Sequence, residues 1–377
     1  MTRVILIVVA LLFLSWGLWC KMGRLPVHRS PDLVLDVVES LGDSKICDKN
    51  IVGIQPFMMV DDYLSADAFE SKMDGYLKQA QAAGYLHEKT VVLLPEYLGT
   101  WLLLAGEKNM LARQETMNSA MPWLIISNPF RFLSAWWHAG QGQDRLTMAL
   151  FRMKANEMAQ SYHHTFKHLA IHYHTTIVAG SIILPGPTVI RDSIVIDDTR
   201  PLYNASFVFM PDGRVAGSPA RKVFPTSEEL PFLASANASE LPVFDLPIGR
   251  TAVLVCADSW YPAVYEEALR KSAEVVLVPS YCPGAGSMDK PWLGYSGSEA
   301  PDDVALTDVG KITEGQAWST YALEGRLHSS GATIAANVFL HGRLWDLDSD
   351  GQSVFMLQGK KQATEPSQRA GIWNLCW

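Results

Sequence analysis

A chain of 377 residues is long for one domain and short for three, and with 48% of it apolar there is ample material for a large buried core. The formal net charge of −8 and the lack of any long basic run argue against nucleic-acid binding, which needs clustered Lys and Arg to neutralise phosphates.

The first predicted element is an apolar run over residues 4–19, interrupted only by Ser15 and Gly17. As a helix rising about 1.5 Å per residue, it lies near the lower limit for spanning hydrocarbon. Arg3 precedes it, and Lys21, Arg24 and Arg29 follow. Residues 1–24 therefore read in two ways. One is an uncleaved single-pass membrane anchor. The other is a signal peptide with Ser15 and Gly17 at the −3 and −1 positions, which would leave a secreted or periplasmic domain. The bulky Trp16, Leu18 and Trp19 around that site favour the anchor. The membrane face stays open: basic residues after the span favour a cytoplasmic domain, whereas a short signal-anchor often delivers it outside. Residues 25–50 read as a linker with one short helix.

The main domain is expected over residues 51–377, beginning with a strand at 51–60. Ser65 can cap a helix reaching about residue 83, with Phe69, Met73, Leu77 and Ala80 on one face and Gly84 ending it. Residues 90–95 form a short, wholly apolar strand of the kind buried on both faces of a sheet, and Glu96 follows it. A long helix is expected over 146–172. Strands follow at 176–183, 192–196 and 205–210, the last closed by the turn Pro211-Asp212-Gly213. A strand at 251–255 ends at Cys256. Beyond it come a helix at 263–272, a strand at 274–279, a helix at 317–328, a strand at 332–337 and a strand pair around Leu344 and Val354. Strands alternating with helices predict a layered α/β domain.

The five cysteines, Cys20, Cys47, Cys256, Cys282 and Cys376, are odd in number and widely scattered. They form no disulfide framework and no CxxC pair for zinc, although one disulfide between some two of them remains open. His164, His168 and His172 share a helical face at a spacing that can bind metal, but no carboxylate accompanies them in HExxH fashion, so a solvated face is the expected reading. Asn204 and Asn237 sit in glycosylation sequons; Asn204 reads as a core residue, so only Asn237 is a candidate, and only in a secreted eukaryotic setting.

Glu96, Lys222 and Cys256 are polar residues where buried strands end, which is where an α/β sheet presents reactive groups. Each alone is weak, since buried cysteines are mostly filler and a strand-end Glu is mostly an ion-pair partner. Their flanks change that balance. Pro95-Glu96, Val178-Ala179-Gly180-Ser181, Tyr203-Asn204, Pro211-Asp212-Gly213, Arg221-Lys222 and Cys256-Ala257-Asp258-Ser259-Trp260-Tyr261-Pro262 occur in that order. Asn337 and Gly351-Gln352-Ser353 follow. This ordered set, from residue 51 to about 355, resembles the nitrilase superfamily of carbon–nitrogen hydrolases.

The resemblance implies an α-β-β-α sandwich, preceded here by the hydrophobic helix, and pairing as a homodimer. It implies that Cys256 attacks an amide carbonyl, that Glu96 is the base, and that Lys222 with the backbone N–H of Ala257 holds the oxyanion. It requires no metal or organic cofactor. It further implies a second glutamate after the lysine, for which Glu228 and Glu229 are the candidates; Glu228-Glu229-Leu230-Pro231 resembles a form seen in apolipoprotein N-acyltransferases. Ala257 and Asp258 depart from the Cys-Trp-Glu usual in nitrilases proper, so an amide is expected over a nitrile. The substrate class is then a small-molecule or acylated amide. An N-acyltransferase using the same centre and a non-catalytic, membrane-tethered binding protein are the competing readings. Finally, an insertion at about 101–145 carries Trp101, Trp123, Phe130, Phe132, Trp136 and Trp137. It is expected either to be a lid touching the bilayer beside the active site or to serve ordinary packing or a dimer contact.

Overall fold

The computed structural model describes residues 2–24, 33–42, 47–140 and 143–377. Two six-stranded sheets form its centre. In the first, the strands lie in the order Val37–Leu41, Gly371–Cys376, Asn50–Gln55, Thr90–Leu93, Thr176–Val178 and Val208–Phe209. In the second the order is Val243–Leu246, Gly249–Val253, Val275–Ser280, Ile334–Phe339, Val354–Leu357 and Lys360–Lys361.

Successive side chains of a strand point to opposite faces, so a strand that is apolar throughout needs an apolar layer on both sides. Val91 and Leu93 pack between the sheets with Val275 and Leu277. Val92, pointing the other way, joins Phe69 and Met73 of the helix Ala66–Ala82 and Phe166 of the helix Arg145–Tyr173. On the second sheet, Val276 and Val278 turn away from the interface onto Val264 and Ala268 of the helix Pro262–Arg270 and onto Leu323 and Leu327. The result is four layers, helix, sheet, sheet, helix, as the resemblance implies.

Local signals act where expected. Ser65 caps the helix Ala66–Ala82, its Oγ accepting from the Ala68 N–H at 3.0 Å, and Gly84 follows at φ 75°. Several expected elements are divided. The stretch 176–183 becomes two strands, Thr176–Val178 and Ile182–Pro185, broken at Gly180. The stretch 205–210 becomes Leu202–Ser206 and Val208–Phe209, which lie in different sheets. The late helix breaks at Ala322 into Glu314–Tyr321 and Leu323–Arg326. The strands near Leu344 and Val354 are not partners: His341–Leu344 pairs with Leu347–Asp350, whereas Val354–Leu357 joins the second sheet.

The linker reading of 25–50 also needs correction. Residues 25–32 and 43–46 lie outside the described residues, but between them Val37–Leu41 is a strand paired in parallel with Gly371–Cys376. That C-terminal strand is buried at all six positions and pairs on its other side with Asn50–Gln55. Its polar Asn374 is satisfied there, accepting from Asn50 Nδ2 at 2.6 Å. Cys47 and Cys376 are joined in a disulfide across a sequence separation of 329, and Lys49 and Trp377 exchange two backbone hydrogen bonds of 3.0 Å beside it. Closing so long a loop restricts the unfolded chain, so Cys47→Ser is expected to cost about 2–4 kcal/mol. Urea titration of parent and variant checks this, and equal midpoints would contradict it.

Candidate active site

Glu96 follows the strand Thr90–Leu93 and is held by a partner segment instead of by its own strand. Leu94 N–H donates to Val178 O at 3.0 Å, Tyr97 N–H to Ser181 Oγ at 2.9 Å and Gly99 N–H to Ser181 O at 2.9 Å. Gly180, at φ +71°, makes this fit, because a Cβ there would lie 2.1 Å from the Pro95 carbonyl oxygen. Gly180→Ala is therefore expected to lose about 3 kcal/mol of stability and to displace Glu96. An unfolding free energy from urea titration within about 0.5 kcal/mol of the parent would contradict that.

Lys222 is placed by the strand Ala220–Arg221, and its own N–H donates to Asn204 O at 2.8 Å. The Asn204 side chain reaches the other way, its Nδ2 donating to Glu96 Oε1 at 2.8 Å. Asn204 thus couples the two charged residues. Lys222 Nζ lies 2.8 Å from Glu96 Oε1 and 2.7 Å from Glu229 Oε2, and the Lys222 and Glu96 side chains are only 2% and 1% exposed. Glu229 is completed by the Thr226 N–H at 2.8 Å and by the Tyr97 hydroxyl. Of the two candidates for the second glutamate, it is Glu229 that meets Lys222. Glu228 is exposed and bonds Ser227 Oγ at 2.9 Å. The turn decides between these neighbours: Glu229 N–H donates to Thr226 O, which directs the Glu229 side chain inward.

Cys256 follows the strand Gly249–Val253 at φ +51°, a left-handed conformation that is costly for a residue with a Cβ and that clusters at functional sites. Its thiol donates to Tyr281 O at 3.5 Å, and the Glu96 carboxylate is near enough for its charge to act on the sulfur. The turn Cys256–Trp260 is tied to Lys222 by Asp258, which sequence reasoning quoted in the motif but gave no role. Asp258 Oδ1 accepts from Val223 N–H at 2.9 Å and Phe224 N–H at 2.8 Å, and Oδ2 from Val255 N–H at 3.1 Å. Burial pushes this carboxyl up to about 7, against the pull of those donors and of Lys222. Asp258→Ala strands three buried N–H groups and is expected to cost about 3 kcal/mol or more. Unchanged thermal unfolding would contradict this.

Burial drives the charges of the cluster in opposite directions. It raises Glu96, with Lys222 opposing and the Glu229 charge adding to the rise. It acts on Glu229 too, but there the Lys222 ion pair and the hydrogen bonds from Lys222 and Tyr97 win, leaving Glu229 below the usual range. Burial alone would lower Lys222, but Glu229 and Glu96 hold it well above its ordinary value. Burial and the Glu96 charge push the Cys256 thiol well up, so the resting sulfur is protonated.

Beside Cys256 and Ala257 opens a cavity of about 160 Å³. Its walls include Trp260, Tyr281, Trp292, Tyr295 and Trp318, and the Glu314 carboxylate. Tyr281, Trp292 and Tyr295 of these come from the stretch 281–313. The histidine face behaves as a solvated surface, with His168 Nδ1 at 2.6 Å from Glu70. Among the described residues, no group of three or more His, Cys, Asp or Glu side chains is gathered for a metal ion.

The carbon-nitrogen hydrolase family model matches residues 91–300, more than half of the chain and the part that contains Glu96, Lys222 and Cys256. Nitrilase 3 of Arabidopsis thaliana is 29% identical over 115 residues, 27% of this chain and 33% of that protein. The probable hydrolase YhcX of Bacillus subtilis is 23% identical over 126 residues, 33% of this chain and 22% of the relative. The chain thus aligns with a third or less of the length of these relatives. Among solved structures, an amidase from Nesterenkonia sp. aligns over 93% of this chain and 94% of its own at 14% identity and a TM-score of 0.50. A variant of the Nesterenkonia sp. AN1 amidase, carrying the acetamide moiety of fluoroacetamide on its active-site cysteine, aligns over 89% and 92% with the same identity and score. At that identity the likeness is one of fold. With its family model spanning most of the site and more than half of its length, this chain belongs to the carbon–nitrogen hydrolase family.

Proposed function

We propose that the protein hydrolyses a non-peptide amide through a thioester on Cys256. The observation that carries this reading is the buried Glu96–Lys222–Glu229 array, in which two carboxylates share one ammonium beside a protonated thiol. Neighbouring titratable groups whose environments push them apart mark the acid–base partners. Glu229 stays ionised and fixes Lys222. Glu96, raised and near enough for its charge to act on the thiol, is the group that exchanges protons.

In this mechanism Glu96 takes the Cys256 proton as the sulfur attacks the carbonyl carbon. The oxygen becomes an oxyanion held by Lys222 and by the Ala257 backbone N–H. Glu96 then gives its proton to the leaving nitrogen, the carbon–nitrogen bond breaks, and the acyl group stays on sulfur. Water, deprotonated by Glu96, attacks the thioester. The acid departs and the thiol regains its proton. The aromatic cavity beside Cys256 suits an apolar substituent on the acyl or amine side.

Amine release from a panel of aliphatic and aryl amides tests the reading. Turnover that is lost in Glu96→Gln supports it, and equal turnover in that variant contradicts it. The charges also set a pH dependence. Glu96 must be ionised to act, and the Glu229 charge raises it. Glu229→Gln is therefore expected to move the acid limb of kcat/KM to lower pH, while an upward shift would refute the assignment.

The N-terminal helix Thr2–Lys21, with mean hydropathy 2.3 and no buried residue, supports an anchor. The Cys47–Cys376 disulfide fits an oxidising compartment, so we infer that the domain lies on the non-cytoplasmic side. The mass of the mature protein distinguishes retention of residues 1–17 from their removal as a signal.

A further inference from the structure

Residues 117–138, the centre of the aromatic insertion, form two short helices, Met117–Ser127 and Pro129–His138. Trp123, Ile126, Phe130, Leu133 and Trp137 recur across them at intervals of three and four. In a soluble protein that spacing marks the side turned to the core. Here it is the outer side: Phe130 is 78% exposed, Trp137 74%, Leu133 54%, Ile126 43% and Trp123 37%. The inner side is Ala120, Leu124 and Ala135, which pack in the first core with partly buried Phe132 and Trp136.

The end of the N-terminal helix is fastened where this stripe begins. Trp19 meets Trp123 with ring centroids 6.1 Å apart, and Lys108 Nζ sits 4.1 Å over the Trp19 ring. Arg24 donates to the buried Glu107 at 2.8 Å, to Ser127 O at 2.8 Å and to Asn128 Oδ1 at 3.0 Å. Asn109 N–H donates to Gly23 O at 2.9 Å. Glu107 is itself held by Lys154 at 2.8 Å and by Asn128 Nδ2 at 2.8 Å, so the fastening is tied into the long helix of the domain. A bilayer that takes up the N-terminal helix must then end against Trp123 and the residues that follow it.

We propose that the face formed by Trp123, Ile126, Phe130, Leu133 and Trp137 is seated in the boundary between headgroups and acyl chains of a phospholipid bilayer. Large aromatic and aliphatic side chains on one side of a short helix suit that layer, which accepts an apolar face while leaving polar groups wet. Arg131, Ser134 and His138 lie among the apolar positions and are exposed, within reach of headgroups. The proposal rests on the anchor reading and goes beyond it. It fixes the orientation of the domain on the membrane instead of leaving it on a free tether.

The test uses the full chain in phosphatidylcholine vesicles. Phe130→Cys, Trp137→Cys and a reference, Leu269→Cys on the helix Pro262–Arg270 of the opposite outer layer, are each labelled with an NBD maleimide. The labelled parent provides the background from Cys20, Cys256 and Cys282. Quenching by phosphatidylcholine brominated on its acyl chains should be at least several-fold stronger at positions 130 and 137 than at 269. Equal quenching at the three positions, in protein that floats with the vesicles, would overturn the proposal while leaving the anchor intact. Blue-shifted emission at 130 and 137 without bromine quenching would assign the face to a second copy of the chain and equally overturn it. Failure to float would remove the anchor reading and this proposal with it.

Discussion

Cys256→Ala is expected to lower kcat/KM by at least about 10⁴-fold on any amide the protein turns over, because Cys256 is the thiol on which Glu96 and Lys222 act. The other free thiol lining the cavity, Cys282, meets Ser287 Oγ at 3.3 Å, and burial pushes it up to about 12, so it is not an activated nucleophile. The fold should survive. Cys256 makes one weak thiol hydrogen bond, and alanine meets the same left-handed backbone cost at φ +51°. Cys256→Gly removes that cost, so it should be about 1 kcal/mol more stable than Cys256→Ala and equally inactive. An inactive glycine variant more stable than the alanine variant would identify the strain as a price of placing sulfur there. A glycine variant less stable than alanine would show that the backbone is relaxed.

Lys222→Met should have the second largest effect and should strike stability as well as turnover. The substitution keeps most of the side-chain volume but removes the only cation between Glu96 and Glu229. Breaking a buried ion pair from one side typically costs about 3–5 kcal/mol. Loss of an oxyanion partner lowers kcat by about 10²–10³-fold on its own. The stability loss carries a pH signature. In the parent, Glu229 lies below the usual carboxylate range, so its stabilisation is present at neutral pH and is lost as pH falls through its folded pKa. Without Lys222, burial raises both carboxylates, and the variant loses stability as pH rises through about 4.5 and above. The gap between parent and variant should therefore be wide at pH 7 and narrow near pH 4. Urea titrations at the two pH values check this, and a gap independent of pH would mean that the ion pair is not what the substitution removed.

Much of the site could be read from the sequence because each of its parts carries a short local signature. Glu96 and Cys256 stand directly after strands that are apolar on both faces, and such runs are distinctive without any tertiary information. The helices over 66–82 and 145–173 follow from spacing and caps. What could not be read depends on partners distant in the chain. The strand Gly371–Cys376 contains Asn374, whose amide is satisfied by Asn50 and Ser40 on its two flanking strands. Val37–Leu41 is ordered as a strand only by pairing with that same segment. Glu228 and Glu229 are adjacent and chemically identical, so only the turn onto Thr226 separates them. Asp258 is visible as a letter in a motif, but its work, holding Val223 and Phe224 against the Cys256 turn, is visible only once those backbone N–H groups converge on it. The apolar stripe 123–137 shows the opposite failure. Its periodicity is plain, but spacing alone cannot tell a core from a membrane, and the exposed side turned out to be the apolar one.

The central claim is that Cys256 carries an acyl group during turnover. Intact-mass spectrometry on the full chain, quenched in acid during incubation with pooled amides, tests it most directly. An added mass that maps to Cys256 and is absent from Cys256→Ala is the predicted result. Hydrolysis that persists in Cys256→Ala would contradict it.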